Sequence, residues 1–508
     1  MIRLLGFLGL AAAIGLCGWF AIQSPRGTPA VEEATHEQVL SLCSACHAYP
    51  SPETFPRSDW RKEVYQGYEF LNNATLALPR PYPSRDSIVR YYEARAPLEL
   101  PLPPPENAPG EVPFRFDRQG FRPADVGIVP WVSNVNLVHL FDPKRLDVLC
   151  CDTRSNQVSV LRPYEAHPTW RVLATLAYPA HAEVVDLDGD GNLDLIVACL
   201  GSFLPSDERK GEVVWLRGSA DGTFTAIPLL RNVGRVADVQ VADFNGDGKL
   251  DLIVAVFGWR EAGEIVHLEN RTQDWSKPLF VPHTVDARHG AIHVPVCDLN
   301  GDGKPDFIAL ISQEHETIVA FINEGDGRFR KETIYTAPHP AYGSSGIQLV
   351  DMNGDGKLDV LYTNGDSLDS HFLHPDHGVQ WLENRGTFPF VHHPLTVMPG
   401  AMRAVAADLD GDGRLDVVAV SFLPRSDHPE RDKFGLDSVI VLRQIAPGQF
   451  TRHSLEKGSY DHVSCAVGDL MGDGRLHLVT GNTYFNHPPP KADAITIWQN
   501  VTPVPARR

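Results

Sequence analysis

Asp186-Leu187-Asp188-Gly189-Asp190-Gly191-Asn192-Leu193-Asp194 returns, nearly unchanged, starting at Asp243, Asp298, Asp351 and Asp408. Carboxylates or amides stand at positions 1, 3, 5 and 9 of each copy, with glycines at 4 and 6. Oxygen donors at that spacing, turned by glycines, wrap a hard cation. Five such loops spaced 53 to 57 residues apart mark a repeat architecture. The candidate Ca²⁺ ligands are Asp186, Asp188, Asp190 and Asp194, then Asp243, Asn245, Asp247 and Asp251, then Asp298, Asn300, Asp302 and Asp306. The last two loops offer Asp351, Asn353, Asp355 and Asp359, and Asp408, Asp410, Asp412 and Asp416.

Short β runs flank each loop, as in Ala182-Glu183-Val184-Val185 and Leu195-Ile196-Val197-Ala198. An EF-hand would need helices there and a Glu at position 12. That position holds Val197, Val254, Ala309, Tyr362 and Ala419, so EF-hands are excluded. Strand-loop-strand units at this period fit four-stranded propeller blades. The pattern resembles the FG-GAP (VCBS) repeats of integrin alpha-subunit propellers over residues 112–508. Two decayed copies, Asp469 to His477 and His139 to Asp147, bring the expected count to seven blades. Both are expected to fold without metal.

The formal charge of −19 comes largely from the loops, which hold 17 Asp residues. Five bound Ca²⁺ would offset about ten of those charges. No basic patch interleaved with aromatics appears, which excludes nucleic-acid binding. Residues 4–22 are uncharged and mostly apolar, long enough as a helix to reach about 28 Å of a roughly 30 Å hydrocarbon core. An uncleaved membrane anchor within residues 1–24 is the favoured reading, with a signal segment as the alternative. The body is then exported, periplasmic or in the cell envelope.

Residues 31–96 read helical and contain Cys43-Ser44-Ala45-Cys46-His47. A C-x-x-C pair alone suits a thiol redox centre or half a zinc site. His directly after the second Cys adds what covalent haem needs: two thioether bonds and an imidazole for the iron. Cys43, Cys46 and His47 are therefore expected to hold one haem c, and the stretch resembles a small class I cytochrome c domain. It departs from that family because no Met lies between Met1 and Met352 to serve as the usual distal ligand. His36, just before the motif, is poorly placed for the opposite haem face, so the sixth position is expected to be vacant, filled by Lys62 or a Tyr, or supplied by the other domain. Cys150, Cys151, Cys199, Cys297 and Cys465 lie in apolar runs and read as buried thiols. Residues 97–113 are proline-dense and read as a stiff linker.

Counting five residues back from each loop predicts an axial set: Asn134, His181, Asp238, His293, Gly346, Arg403 and Ser464. His181, Asp238, His293 and Arg403 are the catalytic candidates, against the plainer reading of a water-filled polar channel. Long connections add Trp259, Arg260, Glu314, His315, Asp366, His371, His374, His377, Asp427, His428, Tyr484 and His487. The fold class expected is multi-domain: an anchor helix, a small all-α cytochrome c-like domain, and a seven-bladed all-β propeller. The leading function is haem c electron transfer, with a redox partner protein and a propeller that takes a substrate, as in a dehydrogenase-like system. The alternative is a calcium-dependent protein- or glycan-binding propeller carrying a haem sensor. Whether it is an enzyme stays open.

Overall fold

The computed structural model describes residues 31–73, 81–103, 107–109, 112–123, 128–368, 372–429, 431–485 and 492–502. Seven antiparallel sheets follow one another around a ring, each built on four strands in sequential order. The seven expected blades are present. In every blade the second strand is wholly buried, as in Asp194–Cys199, Asp251–Val256 and Asp306–Ile311. Runs such as Leu195-Ile196-Val197 suit this, because both faces of the strand meet an adjacent blade. Outer strands such as Thr169–Thr175 alternate with solvent.

The last blade is completed from the other end of the chain. Phe116–Phe121 pairs antiparallel with Ile495–Asn500, closing the ring. Two residues before this strand, Phe114 inserts its ring, 4% exposed, into the core of the last two blades.

The helical segment corrects the expected fold class. Among the described residues there are three α-helices: α1 (His36–Cys43), α2 (Trp60–Asn73) and α3 (Arg85–Arg95). No all-α cytochrome domain is formed. The helices enclose a small aromatic core of Phe55, Trp60, Tyr91 and Tyr92, which Ala341 and Phe372 of the propeller complete. Three short helices bury too little apolar area to stand alone, so the segment is an appendage of the propeller. Its starts are set locally: Thr35 and Gln38 make a capping box, and Ser84 accepts the Ser87 N–H. The anchor helix expected over residues 4–22 lies outside the described residues, among which no helix is long and apolar enough to cross a membrane. The proline-rich stretch is no free spacer where it is described. Leu102 packs with Leu373, Leu423, Leu436 and Tyr460, and Ala108 donates its N–H to Arg452.

Candidate functional site

Each blade opens on a β-bulge. The register of first and second strands slips immediately before Asn134, His181, Asp238, His293, Gly346, Arg403 and Ser464. An extra residue at a bulge re-aims the side chain beside it. Seven bulges at equivalent positions turn six side chains and the bare Gly346 toward the axis, at the end of the ring away from the Asp-rich loops. A second layer lies two residues deeper: Asn136, whose amide donates to Ala182 O, then Glu183, Gln240 and Gln348.

The four catalytic candidates are brought together. His181 Nε2 lies 2.5 Å from Glu183 Oε1 and 3.4 Å from Asp238 Oδ1. Asp238 Oδ2 accepts the Val294 N–H at 2.9 Å and lies 3.8 Å from His293 Nδ1. Arg403 crosses over Gly346, where an added Cβ would sit 3.2 Å from Arg403 Cδ, and its Nη1 lies 3.5 Å from His293 Nε2. Burial pushes the His181 imidazole down, but Asp238 and Glu183 outweigh it and raise it to about 9. Burial likewise opposes ionisation of Asp238, yet His181 and His293 hold its carboxyl far below the usual carboxylate range. His293 is lowered by burial and by Arg403, against the pull of Asp238. At neutral pH the cluster is a charge-balanced network: imidazolium, two carboxylates, a neutral imidazole and a guanidinium.

Beside it, Asn134, Asn136, Arg403 and Ser464 line a cavity of about 230 Å³. That is smaller than the roughly 300–1,000 Å³ of common ligand pockets. It suits water or a small anion, and a larger ligand must bind at the mouth.

The Asp-rich loops join first to second strands on the opposite face. In the second loop, Asp243 accepts N–H groups from Gly246 at 2.7 Å and Gly248 at 2.9 Å, with both glycines at positive φ. Ligand atoms of Asp186, Asp188 and Asp194 lie within 4.8 Å of one another, as do those of Asp408, Asp410 and Asp412. Position 9 has a further role, since its residue starts the second strand in every blade. Asp194 accepts the Leu187 and Gly218 N–H groups, and Asp306, Asp359 and Asp416 repeat the latch. Sequence reading missed that Asp188 and Asp410, the two aspartates at position 3, pair with Arg217 and Arg443. In the decayed seventh loop, His477 takes the latch position. Its Nδ1 accepts the Asn500 N–H, so its proton sits on Nε2, 3.4 Å from Asp473. That nitrogen is then a donor, although Asp469, Asp473 and His477 each still place one ligand atom within 4.8 Å of the others.

Cys43 is half-buried at the end of α1 beside Tyr92, Cys46 is exposed, and burial and Glu314 push the Cys46 thiol up. His47 Nδ1 bonds Ala48 O at 2.8 Å, leaving Nε2 directed elsewhere. His36 is tied to Tyr91 OH at 2.7 Å. The helical segment sits on the face opposite the Asp-rich loops: Phe70 lies under Arg260, and Phe55 packs on Phe372. Glu314 bonds His289 at 2.9 Å, with His315 beside them. Trp259 and Arg260 give their N–H groups to Asp207. Asp366 gives its N–H to Gly343, Asp427 gives its own to Pro424, and Tyr484 is buried. His371 and His487 lie outside the described residues.

One feature of this face carried no signal in the sequence. Trp131, Phe203 and Phe485 come from three connections, with ring centroids 4.8 Å and 5.2 Å from Trp131, and Tyr178 lies 6.2 Å from Phe203. Arg154 stacks 4.8 Å over Trp131 while donating to the carbonyls of Tyr484 and Phe485. Tyr178 holds φ 58°, a left-handed conformation rare for a bulky residue, with its N–H taken by Asn156. All four rings are half-exposed.

Residues 186–254, 298–362 and 363–419 match the model of the FG-GAP-like repeat. The propeller carries FG-GAP-like repeats. The chain is 24% identical over 378 residues to cartilage acidic protein 1 of Homo sapiens, covering 69% of this chain and 53% of that protein. It is 24% identical over 210 residues to a T-cell immunomodulatory protein homolog of Plasmodium yoelii yoelii, covering 36% and 30%. It thus spans about half or less of these relatives. Virginiamycin B lyase from Staphylococcus aureus aligns over 76% of this chain and 98% of its own, with a TM-score of 0.45 at 9% identity. The matched FG-GAP-like stretches lie wholly in the propeller and exclude Cys43, Cys46 and His47. They favour the binding-propeller alternative over haem electron transfer.

Proposed function

We propose that this FG-GAP-like propeller is an exported binding module that takes a protein or glycan on the face opposite the Asp-rich loops, stabilised by about five Ca²⁺ in those loops. The aromatic patch of Trp131, Tyr178, Phe203 and Phe485 carries the reading. Trp, Tyr and Arg dominate binding hot spots, and half-exposed rings stack on apolar and sugar faces alike. Arg154 fastens the Phe485 connection to Trp131, so the patch is ordered before a partner arrives. Screening glycan and extracellular-protein arrays in calcium should give binders whose affinity falls at least about tenfold in Trp131→Ala and Phe203→Ala. Arrays without binders, or binders indifferent to both substitutions, would count against it.

The motif at Cys43, Cys46 and His47 is further proposed to hold one haem c, without the cytochrome fold. The Ala48 carbonyl on His47 Nδ1 is the orienting contact that leaves Nε2 to ligate a metal. A bound haem would supply a redox-active iron beside the binding face. Cys46→Ala should convert the alkaline pyridine spectrum to a single-thioether form or lose the haem. Protein purified without haem absorbance from a host that matures c-type haem, or an unchanged spectrum, overturns the assignment.

A further inference from the structure

Beneath the helical segment lies a set of imidazoles with unmet hydrogen-bonding capacity. His374 and His377, from the loop before the Gly378–Glu383 strand, are 3% and 1% exposed, and their rings stack at 4.5 Å. Asp376 stands between them in sequence, its Oδ1 3.8 Å from His374 Nδ1. His339 Nε2 lies 2.7 Å from the other oxygen, Asp376 Oδ2. Neither ring nitrogen of His377, nor Nδ1 of His374, has a hydrogen-bond partner. Buried polar atoms are otherwise nearly always satisfied, because one left bare forfeits its hydration without a replacement. Three such nitrogens in one pocket call for a missing partner. One ligand atom from each of His374, Asp376 and His377 lies within 4.8 Å of the others.

We propose that His374, Asp376 and His377 bind a divalent first-row transition ion, zinc by donor set, with His339 as the residue that positions the carboxylate. Two imidazoles and one carboxylate are a zinc donor set, whereas Ca²⁺ and Mg²⁺ take oxygen ligands. Neutral imidazole is the form that donates to a metal. Ligating carboxylates are themselves hydrogen-bonded in metal sites, and His339 makes that contact to Asp376. Position suggests the task. His374 packs 4.4 Å from Phe372 and 6.4 Å from Phe55, so the ion would stiffen the seam between helices and propeller.

Cobalt(II) is the probe, titrated into chelator-stripped protein carrying Cys43→Ser and Cys46→Ser, in excess calcium. Those conditions silence the thiols and fill the Asp-rich loops. One cobalt per chain is expected, with visible ligand-field bands and displacement by zinc. His377→Ala should weaken binding at least about a hundredfold and His339→Ala by about ten- to a hundredfold. The helical segment should exchange its amide hydrogens faster in the stripped protein than in the zinc-loaded one. No cobalt bound by the chain with intact histidines overturns the proposal. So does cobalt binding unchanged in the His374→Ala/His377→Ala pair.

Discussion

Stripping calcium is expected to lower the melting temperature by on the order of 10 °C. Extracellular calcium modules bind at roughly 0.1–1 mM, so at tenfold excess each site adds about 1.4 kcal/mol and five add about 7. Domains carry only about 5–15 kcal/mol in all. Removal also leaves 17 aspartates in five loops on one face. Arg217, Lys304, Lys357, Arg414 and Arg443 offset only part of that charge. Asp186→Ala combined with Asp190→Ala should reduce the chelator-induced drop by about a fifth, because one site of five is lost. The position 9 latches behave differently. Asp359 accepts the Met352 and Asn384 N–H groups and the Trp381 indole N–H, so Asp359→Ala should destabilise the protein with or without calcium. Calorimetry with and without chelator separates the two cases, and a melting temperature indifferent to chelator would falsify the calcium proposal.

The loops were legible because cation ligation tolerates few residue types, so the period survives drift elsewhere. From the loops, strand register did the rest. A residue five before each loop must reach the far end of its strand, which placed His181, Asp238, His293 and Arg403 beside one another. The bulges that aim them left no composition signal, since the displaced residues range from Ser133 to Met402. The aromatic patch was illegible for a related reason: Trp131, Tyr178, Phe203 and Phe485 belong to separate connections that only ring closure brings together. His374 and His377 stood out as histidines, but Asp376 and distant His339 gain meaning only in three dimensions. The helical segment was misread in the opposite direction. Its motif and caps are local and strong, and they suggested a self-sufficient all-α domain. Its core needs Phe372 and Ala341 from the propeller, a dependence no local pattern carries.

Deleting residues 112–121 should open the ring, with a larger effect than any point substitution in the propeller. Six residue pairs join Phe116–Phe121 to Ile495–Asn500, nearly the whole chain apart in sequence. Phe114 fills the core against Leu409, Val418, Leu478 and Trp498, and losing one such ring costs about 3–5 kcal/mol. Arg118 covers the Trp498 ring at 4.2 Å and pairs with Glu456. Without these residues the Ile495–Asn500 strand presents an unpaired edge and a bare apolar face, the condition under which strands recruit another chain. Phe114→Ala alone should lower stability yet stay monomeric, since it leaves the ladder intact. The deletion should elute as aggregate or as a dimer, with the missing strand supplied as a peptide restoring the monomer. A soluble, monomeric deletion protein that melts with the parent would mean the blades hold the ring closed by their mutual packing, and that the terminal strand merely covers it.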